Sequence, residues 1–280
     1  LKLRASWGEN GNCNIGRLAY LETIAIGNAT NAAIYYFGED KSAYTIGAYA
    51  DKIANPDLTW ETSRQTDIGL DTRFLKGRLG FSFDWYEKLT LGWLVKPQGL
   101  GIWGTDAPYI NGGDIRNTGV EIALDWTDQV GDFTYSIKGN MSYNHNEVLS
   151  IDNGEGFING TSNILTHNTT YLARAEVGQP VGFFHGYKTN GIFQNQEQID
   201  SYTWTDPETG ATKKILPDAK PGDVIFMDLN NNGSIDDGDK TFIGDPHPDV
   251  TYGISINLGY KGFDFSLTGY GVAGNQIAKS

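Results

Sequence analysis

Along residues 66–74, apolar side chains return at every second position. Ile68, Leu70 and Phe74 share one side, and Asp67, Gly69, Asp71 and Arg73 share the other. Successive side chains of an extended strand point to opposite faces, so this alternation predicts a strand with one greasy and one wet side. Lys76 and Gly77 make a turn. The return strand then sets Leu79, Phe81, Phe83 and Trp85 against Gly80, Ser82, Asp84 and Tyr86, which completes a tight hairpin. A second hairpin carries Val120, Ile122, Leu124 and Trp126 outward to a turn at residues 129–132, and returns with Phe133, Tyr135, Ile137, Met141 and Tyr143. A third pairs Val250, Tyr252, Ile254, Ile256, Leu258 and Tyr260 with Phe263, Phe265 and Leu267. Shorter strands are expected at residues 1–7, 43–50 and 181–193, and helix almost nowhere.

Two features bear on what the greasy sides face. The strands are often ten residues or more, against about five or six for an average strand and about 9–11 for one that crosses a bilayer obliquely. The three tight turns also contrast with long connections over residues 90–113 and 149–249. Short turns on one side and long loops on the other are the arrangement of outer-membrane barrels. Rings gather beside the short turns at Phe74, Trp126, Phe133, Tyr260 and Phe263, where an aromatic girdle would lie. The fold expected is all-β, a partial antiparallel transmembrane β-barrel with short periplasmic turns and long extracellular loops. A secreted, soluble glycan-binding β-sandwich shares the alternation, and that alternative stays open.

Composition sharpens this picture. Of 280 residues, 36 are Gly and 12% are aromatic, a mixture that favours strands and turns over helices. A formal net charge of −13 argues against a nucleic-acid partner. The single cysteine, Cys13, excludes an internal disulfide framework. No run of about 18 apolar residues is present, which excludes a spanning helix but not spanning strands.

Several segments resemble one family. They are LKLRASWGENGN at residues 1–12, NPDLTWE at 55–61, NGGDIRNTGVEIAL at 111–124, VGQPVGFFHGYKTNGIFQ at 177–194, and the long stretch at 221–266. In this order they are similar to the SusC/RagA family of TonB-dependent outer-membrane transporters. The resemblance implies a large barrel, closed by a plug, that imports oligosaccharides or peptides with energy relayed by TonB. A SusD-type surface lipoprotein would cap its outer mouth. Residues 1–280 would belong to the C-terminal part of the barrel, with a long extracellular loop at about 149–249, and no plug, TonB box or signal peptide is recognised in them. The polar alternates Asp67, Asp71, Asp84, Glu121, Asp125, Lys138 and Asn140 would line a hydrated interior, and the opposite faces would meet lipid.

The sharpest local motif is DLNNNGSIDDGD at residues 228–239. It fits a calcium loop: Asp228, Asn230 and Asn232 stand at the first, third and fifth positions, and Gly233 at the sharp turn. Ser234 would give its backbone carbonyl, Asp236 would act through water, and Asp239 would close the set more weakly than the usual glutamate. An ion-free cluster of Asn, Asp and Gly turns fits the same residues. GLGIWG at 99–104 has dinucleotide-loop spacing, but no helix follows through Thr105 and Pro108, so it is not read as one. His145, His167, His185 and His247 are scattered and accompany no catalytic spacing, and no catalytic residue is nominated. Trp103, Phe183, Phe184, Tyr187 and Trp204 are weak candidates for stacking on a ligand, with plain loop packing as the alternative.

Overall fold

A computed structural model describes residues 1–16, 19–27, 34–36, 45–97, 102, 104–105, 107–162 and 171–279. Trp103 and His167, and most of the 99–104 motif, lie outside the described residues. The chain divides into two units. One comprises Leu1–Ile158, Glu176–Val181 and Asp249–Ala273, and the other Asn159–Ala175, Gly182–Pro248 and Gly274–Ser280.

The first unit is built on one antiparallel sheet of seven strands: β1 (Lys2–Asn12), β2 (Glu61–Phe74), β3 (Leu79–Leu91), β4 (Gly113–Val130), β5 (Phe133–Ile151), β6 (Val250–Tyr260) and β7 (Phe263–Ala273). They lie side by side in chain order, each bonded to the next. The three hairpins therefore form as the alternation predicts. The turn between β2 and β3 holds Leu75, Lys76 and Gly77 at positive φ, and that between β6 and β7 holds Lys261 and Gly262 so. Positive φ at both central residues gives a two-residue turn the twist of its flanking strands.

The apolar face is uncovered. Ile68, Leu124, Ile254 and Phe265 keep 47–56% of their surface exposed. A sandwich would bury this face against a second sheet. Buried apolar side chains lie elsewhere, among them Ile115 and Val148 toward the long-loop end of the strands, and Phe183, Phe193 and Ile199 in the second unit.

The register stacks the outward residues into rows. Ile68, Trp85, Val120, Tyr143 and Val250 stand opposite one another across five strands. Toward the tight turns the face stays greasy as far as Phe74, Trp126 and the Phe133–Tyr260–Phe263 row. Toward the long loops it turns mostly polar: the next outward row is Trp7, Thr66, Glu87, Thr118 and His145. Beyond it comes Glu9, Arg64, Leu89, Arg116 and Glu147. The band thus has aromatic borders on both sides, Trp85 and Tyr143 forming a second border beside the one expected from sequence. The strands also run well past this border, β4 reaching 18 residues and β5 19.

The second unit is short-stranded. Phe183–Tyr187 pairs with Ala173–Glu176 on one side and Lys240–Gly244 on the other. The single strand expected over 181–193 is therefore two, Phe183–Tyr187 and Thr189–Ile192, the latter pairing with Val224–Phe226. One six-residue helix, Gln196–Ser201, is capped by Asn195, whose side chain accepts from the Gln198 amide at 2.9 Å. Ile199 on it is buried, and Phe193 meets Tyr202 edge-on at 5.9 Å. Among the described residues no helix is long and apolar enough to cross a membrane.

Candidate functional site

The polar face of the sheet carries a repeated device. Arg4 on β1, Gly69 on β2 and Asp84 on β3 stand in one row. With no side chain on Gly69, the guanidinium reaches across the bare backbone, where a Cβ would lie 2.9 Å from it. It donates to Asp84 at 2.9 Å and to both oxygens of Asp71 at 2.9 and 3.0 Å. One row pattern along, Arg73 crosses Gly80 to bond Asp125. Tyr86 likewise crosses Gly119 and donates its hydroxyl to Asn144 at 2.9 Å. Each glycine lets two long polar groups meet over a third strand, which fixes three neighbours at once. Of the expected interior residues, Asp71, Asp84 and Asp125 are thus drawn into ion pairs. Asp67 accepts from Ser6 and Gln65.

The 228–239 loop of the second unit is closed by its own polar groups. The Asp228 carboxylate accepts from the amides of Asn232 and Gly233 at 3.1 and 2.7 Å. Asn230 accepts from the Asn232 amide at 3.0 Å, and Asn232 from the Ser234 amide at 2.8 Å. Asp236 takes the Gly238 amide and the Asn232 side-chain amide. Asn231 and Gly233 have φ of 57° and 76°, which curls the chain inward. Among the described residues no group of three or more His, Cys, Asp or Glu is arranged to hold a metal ion. An ion here would draw on the second lone pairs of these oxygens together with Asn and backbone carbonyls.

Asp239 is fully buried and holds three backbone amides, those of Leu229 (2.7 Å), Asn230 (3.2 Å) and Asp236 (2.8 Å). Burial pushes its carboxyl up, but the amides of Asp236, Asn230 and Leu229 outweigh that and hold it below the usual carboxylate range. A depressed folded value contributes stability in full above the unfolded value, about 3.9, and loses it as pH falls through the folded value. The loop is therefore expected to keep its form at neutral pH and to loosen only in strong acid. Asp239→Ala would leave three amides without their acceptor, each costing roughly 1–3 kcal/mol if it stays buried. Hydrogen exchange at Leu229, Asn230 and Asp236 should then rise sharply, and unchanged protection would show that the carboxylate does not hold the loop.

The aromatic candidates sit in packed settings. Phe183 is 1% exposed, stacked on Phe242 at 5.4 Å and edge-on to His185 at 6.1 Å. Phe184 pairs with Ala173 and Gly244 and is half-buried. Tyr187 meets Phe226 edge-on at 5.7 Å beneath Lys240. Trp204 lies on the 228–239 loop: its indole donates to the Asn231 carbonyl at 2.8 Å, and its ring fills the space where Gly233 would carry a Cβ. Lys213 covers that ring and donates to the Ser234 hydroxyl at 3.1 Å. The crossing glycines and this clamp were not expected from the sequence. Glycines on the polar side of alternating strands were the one signal for the first, and nothing near the motif announced the second.

Comparison with known proteins fits this geometry. The family model described as TonB dependent receptor-like, beta-barrel, matches residues 1–270. TonB-dependent receptor P3 of Formosa agariphila is 33% identical over 99% of this chain and 26% of its own length. TonB-dependent receptor SusC of Bacteroides thetaiotaomicron is 31% identical over 96% of this chain and 24% of its own length. The chain therefore spans about a quarter of these relatives. Among solved structures, the RagAB peptide transporter superposes with a TM-score of 0.68 at 24% identity, over 97% of this chain and 26% of that one. The RagAB peptide importer in its closed-closed state gives 0.69 at 24% identity, over 98% and 26%. At that identity the superpositions speak for the fold, and they bear out the all-β barrel expected from the alternation. The family is one of receptors and transporters rather than an enzyme class. Its barrels lie in the bacterial outer membrane, where the uncovered greasy band of this sheet finds its solvent. The chain belongs to the TonB dependent receptor-like β-barrel family, and within it is SusC/RagA-like, as the sequence resemblance implied.

Proposed function

We propose that the intact protein imports oligosaccharides or peptides across the outer membrane with energy relayed by TonB, and that a SusD-like surface lipoprotein works with it. The observation that carries this reading is the two-sided sheet. One side is an apolar band with aromatic borders, and the other is a polar wall of crossed ion pairs. In this reading the tight turns face the periplasm and the 149–249 connection is an extracellular loop. The relatives' names support the two substrate classes unequally: one is called SusC, and RagAB is titled a peptide transporter. Uptake of labelled glycan and peptide pools by cells with and without the gene tests it. Import should vanish with the gene and equally in a strain lacking TonB. Import that survives loss of TonB would favour a passive pore.

We also propose that the 228–239 loop takes Ca²⁺ to stiffen this external segment, with no part in catalysis. The motif spacing and the inward curl at Asn231 and Gly233 support it. Trp204 against Gly233 supplies a reporter. Terbium added to the intact receptor should luminesce on tryptophan excitation, fade as Ca²⁺ competes, and give no signal in Asp228→Ala. If the wild type stays dark, or if Asp228→Ala luminesces like it, the ion-free turn cluster is the right description.

A further inference from the structure

Six asparagines in the chain stand directly before a glycine, at residues 10, 111, 153, 159, 190 and 232. Such a step is open to attack by the glycine backbone nitrogen on the asparagine side-chain carbonyl carbon, because no Cβ shields the approach. The fold restrains five of the six. Asn232 donates to Asp236 at 2.7 Å and accepts from the Ser234 amide, while the Gly233 amide is spent on Asp228 at 2.7 Å. Asn111 gives its side-chain amide to the Thr59 and Gly92 carbonyls, and the Gly112 amide donates to the Trp93 carbonyl at 2.7 Å. Asn153 is held by the Glu155 and Gly156 amides and the Phe157 carbonyl. After Asn159, the Gly160 amide donates to the Ala173 carbonyl at 2.8 Å. Asn10 and Gly11 pair in unbroken register with Ser63 and Thr62, and the Trp60 ring lies over Gly11.

Asn190 has none of these restraints. Thr189–Ile192 is exposed throughout, and among the described residues the Asn190 side chain has no hydrogen-bonding partner. Thr189 pairs with Phe226 and Ile192 with Val224, so three steps of one strand span two of the other. Such a bulge leaves a residue outside the ladder. Gly191 sits in it at φ 81°, with nothing within 4 Å of where a Cβ would lie. The peptide unit between Asn190 and Gly191 therefore has room to turn toward the side chain.

We propose that Asn190–Gly191 is a site of spontaneous deamidation, and that the fold spares the other five steps. The Gly191 nitrogen loses its proton and bonds to Asn190 Cγ, the Cγ–Nδ2 bond breaks, and Nδ2 leaves with that proton as ammonia. Water then opens the resulting succinimide at either carbonyl, giving aspartate or isoaspartate with no change of oxidation state. Either product adds a negative charge. Isoaspartate also adds a methylene to the backbone shortly before Phe193, whose amide donates to the Asp223 carbonyl at 2.9 Å. The test ages the intact receptor at neutral pH and maps its peptides by mass spectrometry, with isoaspartyl methyltransferase labelling the second product. Asn190 should convert about tenfold faster than any of the other five, the ratio expected where one restraining hydrogen bond must first break. In receptor unfolded by urea that lead should shrink to the small spread set by local sequence. If Asn190 in the folded receptor converts no faster than the others, the site is not the one proposed. A lead that persists undiminished in urea also overturns the proposal, because neighbouring residues and not the fold would then be its cause.

Discussion

Gly113→Ala should cripple assembly of the receptor. Gly113 opens β4 at φ 142°, a conformation that side chains resist, and a Cβ there would run into the Ser150 carbonyl and lie 2.9 Å from the Ile151 Cα. The backbone has little room to yield. The Gly113 carbonyl accepts from the Trp93 amide at 2.8 Å, the Asp114 amide donates to the Ser150 hydroxyl at 3.1 Å, and the register shifts between Asp114 and Ile115. A shift of this kind marks a bulge, which needs its own backbone path. Strain and overlap together should cost about 3–5 kcal/mol. The measurement is the amount of receptor reaching the outer membrane, together with its thermal unfolding midpoint in detergent. Gly139→Ala is the matched control, because its Cβ would meet nothing closer than the Gly253 carbonyl at 3.9 Å. If the two variants behave alike, the bulge does not constrain the wall as described.

The second large effect tests which side meets lipid. Leu124 and Ala123 are neighbours on β4 with opposite orientations. Leu124 is 50% exposed on the greasy side, in register with Phe81 and Gly139. Ala123 stands between Ser82 and Asn140 on the wet side. An arginine facing hydrocarbon near the middle of the bilayer costs about 2–4 kcal/mol. Leu124→Arg should therefore deplete the protein from the outer membrane several-fold, whereas Ala123→Arg should leave its level close to wild type. Equal tolerance of both would mean that the apolar band does not face lipid, and with it would fall the importer reading.

What could be read in the sequence follows from where water is. Between the two aromatic borders one side of each strand meets hydrocarbon, so hydropathy alternates and all three hairpins are legible. Beyond Trp85 and Tyr143 the outward side turns mostly polar, and the alternation stops at Glu87, Arg116 and Glu147 although the ladder of hydrogen bonds continues. This is why the predicted strands end short of Leu91 and Ile151. The helix Gln196–Ser201 is too brief to show a period, and only its Asn195 cap announces it. The calcium-type spacing of the 228–239 loop was plain, since its groups are neighbours in sequence. The clamp was hidden because Trp204 lies 27 residues from the Asn231 carbonyl it binds. The crossed ion pairs were hidden further still: Arg4 and Asp84 are 80 residues apart, and their meeting depends on the register of three strands.

Those crossings have a mechanical consequence. Arg4 over Gly69, Arg73 over Gly80 and Tyr86 over Gly119 each tie a strand to its second neighbour, and together they overlap from β1 to β5 like staves bound by hoops. A section bound in this way resists widening or shearing, since any slip between adjacent staves breaks a tie on either side. Any movement of this wall must therefore carry β1 to β5 together as one panel.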